Sequence, residues 1–295
     1  MTLIDLITAQ AARLKQAGVS FGHGTGNAFD EAAWLVLWSL GLPLDALEER
    51  AKKDLTADEQ ATAEALITRR IESRQPAAYL TKEAWLQNVP FHVDERTIVP
   101  RSFIAELLAD GEGTGTLDAW LSDTTHRVLD LCTGNGSLAV IAAMAYPEIV
   151  VDAADISEDA LAVARINVDR HKLDKRITLL PSDLFAAVRG PYDLILCNPP
   201  YVNAQSMLAL PDEYRAEPAL ALAGGDDGMD LVRTILREAP KHMTADAVLV
   251  LEIGNERPHF EHAFRRLEVA WLDTSAGDDQ VLLVTRDSLS KYKWS

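Results

Sequence analysis

From Arg127 onward the chain alternates short apolar runs with stretches of helical periodicity. RVLDLC, IVVDAAD, RITLLPSD and YDLILCN read as strands, and Ala247 to Ile253 and QVLLVTR read as two more. Among these runs the spacing predicts helices over Ser137 to Ala145, Glu158 to His171, Met229 to Glu238 and Arg257 to Leu267. Such alternation predicts an α/β fold, a mostly parallel, doubly wound sheet with helices on both faces.

Upstream the pattern is different. Residues 1–75 carry helical spacing: Leu3, Leu6, Ile7, Ala11 and Leu14, then Ala32, Leu35 and Val36, then Ala61, Ala65 and Leu66. They are expected to form a helical N-terminal domain. Residues 76–100 hold two short mixed runs around Asn88-Val89-Pro90, which predicts a hairpin linker to a second domain over 101–295. EGTGTLDAW, within that domain, reads as loop and weak helix. In GHGTGNAFDEA, Gly22, Gly24 and Gly26 invite a phosphate-loop reading, but no strand precedes them, so the context for one is missing. The preferred reading is a loop ending at an N-cap, Asn27, with Asp30 and Glu31 in the first helical turn.

Composition narrows the function classes. The 295 residues suffice for two domains or one large one, and no run approaches the length of a membrane span. MTLIDLITAQAARLKQAG carries Asp5 early and reads as an amphipathic helix rather than a signal peptide, so a cytoplasmic protein is expected. Two cysteines, Cys132 and Cys197, are too few for a disulfide scaffold or a thiolate zinc site, and no metal is expected. A net charge of −17 disfavours free nucleic acid, because phosphate binding wants a basic face. It is compatible with a basic protein partner, and equally with solubility alone.

Ligands of open α/β sheets bind beyond the carboxyl ends of the strands, so the residues that follow successive strands belong together. After the first comes DLCTGNGSLAV, where Gly134 and Gly136 allow close backbone approach and a tight turn into a helix. Asp155 follows the second strand and is placed to accept hydrogen bonds from ribose hydroxyls. Pro181-Ser182-Asp183-Leu184-Phe185 follows the third, with Asp183 a candidate acceptor for an adenine amino group and Leu184 packing on the ring. The fourth ends in Asn198-Pro199-Pro200-Tyr201. Each carboxylate alone reads as a solvated turn or a cap; four such ends in succession read as a site. The third glycine of a dinucleotide fingerprint is absent, and no P-loop lysine follows the pair. An adenosine ligand without phosphates fits better, and S-adenosylmethionine is the common one.

DLCTGNGSLAV, Asp155, the PSDLF segment and NPPY together resemble the seven-stranded, class I S-adenosylmethionine-dependent methyltransferases. The whole chain resembles the protein-glutamine N-methyltransferases, in which a helical N-terminal domain joins the catalytic domain through a hairpin. FGHGTGNAFDEA, YLTKEAWLQNVPFHVDERTIVPRS and PDEYRAEPALALAGGDDG are most similar to the ribosomal branch of that family. That branch methylates a glutamine of large ribosomal subunit protein three, a basic protein. Ser102-Phe103-Ile104 stands where release-factor-modifying relatives carry a Pro-Glu-Thr-Glu-like continuation. The resemblance implies S-adenosylmethionine held by Cys132, Thr133, Gly134, Asn135, Gly136, Asp155, Asp183, Leu184 and Asn198. It implies catalysis by Asn198, Pro199, Pro200 and Tyr201, with residues 1–75 helping to select the substrate.

Chemistry fits that implication. A glutamine nitrogen is a poor nucleophile, and methyl transfer makes its protons acidic. The Asn198 side-chain oxygen and the Pro199 carbonyl are expected to accept those protons, with Pro200 stiffening the turn and Tyr201 packing on the amide. Cys132 and Cys197 are expected to lie near each other as small apolar filling. Three rival readings stand beside this one: a nucleic-acid amino methyltransferase, a catalytically silent cofactor-binding module for ribosome assembly, and, disfavoured by its glycines, a nicotinamide oxidoreductase.

Overall fold

A computed structural model describes residues 1–108 and 116–294. The N-terminal helices are α1 (Leu3–Gln16), α2 (Ala28–Ser39), α3 (Leu47–Arg50), α4 (Ala57–Ser73) and α5 (Ala77–Thr81). Thr2 with Asp5, and Thr56 with Glu59, form capping boxes that start α1 and α4. Asn27 caps α2 as its sequence indicates, its side chain accepting from Phe29 N and Asp30 N at 3.0 Å each. Leu3, Leu6, Ile7, Leu35, Val36 and Ile67 form the core of this unit, which also takes in Tyr79, Ala84, Val93 and Val99.

The hairpin follows as β1 (Glu83–Leu86) and β2 (Val89–His92). Gln87 and Asn88 turn with φ of 49° and 60°. Pro90 sits opposite Trp85, a place open to proline because this ribbon has only two strands.

The larger unit runs α6 (Ile104–Leu108), β3 (Arg127–Leu131), α7 (Ser137–Ala145), β4 (Val150–Asp155), α8 (Glu158–Arg170), β5 (Ile177–Pro181) and β6 (Tyr192–Cys197). Then come α9 (Ala204–Ala209), α10 (Asp212–Arg215), α11 (Asp230–Glu238), β7 (Met243–Glu252), α12 (Arg257–Ala263), β8 (Ala270–Thr274), β9 (Gly277–Thr285) and α13 (Arg286–Lys291). Of EGTGTLDAW, residues 116–120 form a 3-10 helix; the expected loop before them lies outside the described residues. Among the described residues no helix is long and apolar enough to cross a membrane.

Seven strands form one sheet in the order β5-β4-β3-β6-β7-β9-β8, parallel except where β9 runs against both neighbours. The middle of the central strands, Leu194 to Cys197 on β6 and Ala247 to Leu251 on β7, is apolar without a break because both faces are covered. Leu194, Leu196, Val248 and Val250 enter the core beneath α6 and α7, while Ile195, Cys197, Leu249 and Leu251 enter the core beneath α11 and α12. β8 escaped the sequence reading: in AWLDT only Leu272 is buried, as suits a strand at the sheet edge, so no apolar run announces it. The chain steps outward from β3 through β4 to β5, then returns to pair β6 on the other side of β3. That reversal opens a crevice at the strand ends.

Candidate active site

The ends of β3 to β6 converge on one cavity. Cys132 and Gly134 line it after β3, Asp155 and Ile156 after β4, Asp183 and Leu184 after β5, and Asn198 and Pro200 after β6. Thr133, Asn135, Gly136, Pro199 and Tyr201 lie behind this lining rather than in it.

The residues behind the lining shape the loop that follows β3. Thr133 Oγ1 donates to Asp130 Oδ2, and Ala139 N donates to the same oxygen at 3.0 Å. Burial pushes the Asp130 carboxyl up to about 7 against these two donors. Gly136 closes the turn at φ 80°, where a Cβ would stand 3.1 Å from that of Ala164 on α8. Gly134 instead faces open space: nothing lies within 4 Å of a Cβ built there. Asn135 gives its carbonyl to Asn167 Nδ2 at 2.9 Å, and the same amide group exchanges bonds with the backbone of His92 on β2. One buried side chain on α8 thus joins hairpin to loop.

Cys132, at φ 61°, brings its thiol beside Cys197, because Leu131 and Cys197 are register partners on adjacent strands. Burial pushes the Cys197 thiol well above its ordinary value, so it is a neutral filler and no nucleophile.

Asp155 Oδ2 accepts from Gly134 N at 2.8 Å and Oδ1 from Ser157 N at 2.9 Å. A carboxylate has about four lone-pair positions, so capacity remains for a ligand. Burial raises this carboxyl too, against those backbone donors. A glycine facing space, a fixed carboxylate and the apolar Ile156 and Leu184 fit an adenosine-type group. Among the described residues no cluster of three His, Cys, Asp or Glu side chains is arranged for a metal.

At the end of β6, Asn198 is half-buried, and neither its side chain nor the Pro199 carbonyl has a hydrogen-bond partner among the described residues. Tyr201 faces the other way. Its hydroxyl donates to Glu252 Oε1 at 3.4 Å, and its ring lies where a Cβ on Gly254 would stand 2.6 Å from Cε2. Glu252, at the end of β7, also accepts from Ser102 Oγ at 2.5 Å and Phe103 N at 3.0 Å. Burial raises its carboxyl to about 7. Ser102 and Tyr201 thus meet on one carboxylate, which ties the segment before α6 to the turn that follows β6.

The remaining wall was not legible in sequence. Thr97, Ile98, Pro218, Leu220 and Ala221 line the cavity, yet none belongs to a strand end or a periodic run. Three ion pairs, centred on two arginines, hold this wall. Arg101 makes a bidentate pair with buried Glu217 at 2.6 and 2.8 Å, which outweighs burial and brings the Glu217 carboxyl down to about 2. Buried Arg70 on α4 reaches Glu213 at 3.2 Å and Glu31 on α2 at 2.8 Å. The sequence offered only the resemblance of DERTIVPRS and PDEYRAEPALALAGGDDG to the ribosomal branch, which assigns none of these contacts.

A seven-stranded sheet of this order, with a ligand cavity at its switch point and an Asn-Pro-Pro-Tyr turn, defines a class I methyltransferase. The family model of the methyltransferase small domain matches residues 110–213. The ribosomal protein uL3 glutamine methyltransferase of Bordetella pertussis is 54% identical, over 98% of this chain and 96% of its own length. That of Burkholderia pseudomallei is 52% identical, over 98% and 95%. The chain belongs to the ribosomal protein uL3 glutamine methyltransferase family. Among solved structures, the hMettl16 catalytic domain in complex with MAT2A 3'UTR hairpin 6 is 12% identical, over 77% of this chain and 81% of that one, with a TM-score of 0.50. That likeness concerns the fold alone.

Proposed function

We propose that the protein transfers a methyl group from S-adenosylmethionine to the side-chain amide nitrogen of a glutamine in ribosomal protein uL3. The observation that carries this reading is a pair of unused acceptors at the end of β6, the side-chain oxygen of Asn198, which lines the cavity, and the carbonyl of Pro199 next to it. The relatives' shared name supplies the acceptor protein.

Gly134, Asp155, Asp183 and Leu184 would hold the cofactor, which supplies an electrophilic methyl group when bound. Asn198 and Pro199 then accept hydrogen bonds from the two amide hydrogens, which become more acidic as the nitrogen gains positive charge; one of these protons passes to water once the nitrogen is methylated, and the other stays. Acceptors of this kind favour the transition state over the ground state. Both sit on a proline-stiffened turn, so they are oriented before the substrate arrives. Tyr201 holds the turn from behind, tied to Glu252, in place of the amide-packing role that the motif first implies. No side chain need act as a strong base. Residues 1–75 help to select the protein substrate, and the reaction belongs to the cytoplasm, where ribosomal proteins are made.

Asn198→Ala tests the clamp. It removes one acceptor and leaves the strand and the Pro199 carbonyl. Single-turnover transfer should slow on the order of a hundredfold, with cofactor affinity nearly unchanged. A folded Asn198→Ala protein with wild-type turnover overturns the proposed mechanism.

A further inference from the structure

The loop GHGTGN and the exposed aromatics of the helical unit play no part in the chemistry above. They meet at one groove, of about 310 Å³, lined by Phe29, Trp34, Leu37, Leu44, Leu47 and Trp85. Phe29, Leu44 and Trp85 are 39%, 44% and 43% exposed. Three large apolar side chains held open to water around one concavity form a patch of the kind that marks an interaction surface.

One carboxylate lines the groove, and three more lie beside its lining residues in the chain. Asp30 lines it, and Asp45, Glu48 and Glu49 flank Leu44 and Leu47. Among the described residues none of these four carboxylates has an ion-pair partner, and Arg50 is the one cation in the stretch from Leu44 to Arg50. An apolar floor with unpaired carboxylates in and beside it is complementary to an apolar anchor flanked by lysine or arginine.

The position of the groove ties it to the acceptor site. Gly24 forms one lip, where a Cβ would stand 3.5 Å from Trp34. Two residues back along the same loop, a Cβ on Gly22 would stand 2.6 Å from the Tyr214 hydroxyl. The His23 ring lies 4.2 Å from that of Tyr214. Tyr214 precedes Pro218 of the cavity wall on one short connection. Chain connectivity alone limits the distance from groove lip to cavity wall to about 30 Å, roughly nine extended residues.

We propose that this groove docks a basic segment of the protein substrate, a hydrophobic anchor flanked by Lys or Arg, on the same chain that presents its glutamine at Asn198. The assignment rests on the reading of the reaction as glutamine methylation. A ribosomal protein binds RNA phosphates through cationic side chains, so it carries such segments. The groove sets which protein is held; the turn at Asn198 sets which atom reacts.

Steady-state methylation of full-length, unmodified ribosomal protein uL3 is compared with that of a peptide of about eight residues around the target glutamine, in which any apolar residue flanked by Lys or Arg is replaced, so that it carries no anchor for the groove. Two variants are used. Phe29→Ala with Trp85→Ala removes the exposed anchoring surface, and Asp45→Lys with Glu48→Lys reverses charge at exposed positions; melting curves confirm folding. Each variant should raise KM for the full protein at least about tenfold, with kcat and the peptide kcat/KM unchanged. The charge variant's effect should shrink at high salt. Unchanged KM for the full protein in both variants overturns the docking assignment, and so does an equal loss on protein and peptide. A wild-type protein that transfers no methyl group to uL3 overturns the reading of the reaction, and the docking assignment with it.

Discussion

Arg70→Met is the most informative single perturbation of the scaffold. Arg70 is 0% exposed, and its two carboxylate partners, Glu31 and Glu213, are 1% and 0% exposed. Its Nη2 also donates to the Ser20 carbonyl at 3.0 Å. Methionine keeps much of the aliphatic bulk but leaves both carboxylates without this cation; Glu213 retains Arg74 at 3.2 Å. Removing one partner of a buried pair costs about 3–5 kcal/mol. The lower end is expected here, because burial already raises the Glu31 carboxyl and protonation offers a partial escape. At about 2–4 °C per kcal/mol for a chain of this size, Tm should fall on the order of 10 °C. The loss should be smaller near pH 5.5, where the Glu31 carboxyl, already raised by burial, takes up its proton more readily. Glu31→Gln and Glu213→Gln added to Arg70→Met should recover most of it, since replacing a whole buried ion cluster is often neutral. Thermal melts followed by circular dichroism at the two pH values decide this. An Arg70→Met protein melting within about 2 °C of wild type would show that the network contributes little, and a triple variant no better than the single one would show that packing, not charge, is what Arg70 provides.

Two further outcomes test the site. Asp155→Ala should weaken S-adenosylmethionine binding by about 1.5–3 kcal/mol, the usual loss for charged hydrogen bonds, and calorimetry giving wild-type affinity would remove Asp155 from the ligand set. Part of that loss will come from the freed Gly134 and Ser157 amides, so Asp155→Asn, which keeps an acceptor, should lose less. Glu252 gives a pH signature: with its carboxyl raised from the ordinary 4.5 to about 7, the folded state holds its proton more tightly than the unfolded state between those values. Stability should therefore fall as pH rises through that window, by up to roughly 3 kcal/mol from this residue, with buried Asp130 adding a fall of the same sign. Glu252→Gln keeps an acceptor for Ser102 Oγ and Phe103 N and offers its NH2 group to Tyr201. It should flatten the profile and melt higher than wild type at pH 8; a variant with the wild-type slope would refute the assignment.

The sequence by itself determined the features that depend on near neighbours along the chain. Short runs rich in apolar residues revealed β3, β4, β5, β6, β7 and β9, because strands covered on both faces carry few polar positions. Asn27 was legible as a cap because its partners, Phe29 and Asp30, lie two and three residues on. The strand-end residues were legible as a set because an α/β sheet places all such ends on one side. β8 was not legible, since an edge strand with one buried residue has no pattern distinct from a loop.

Only the tertiary structure decided which of the strand-end residues line the cavity and which stand behind it. Gly134 and Asn198 face the cavity, whereas Thr133 turns to Asp130 and Tyr201 turns to Glu252. That division depends on backbone direction after the last strand residue and on what lies behind the turn. Ser102 meets Glu252 across 150 positions, Arg70 meets Glu213 across 143, and Arg101 meets Glu217 across 116. Local periodicity carries no information over such separations. A buried charge is tolerated only beside its counter-charge, and the fold alone determines which residues become neighbours.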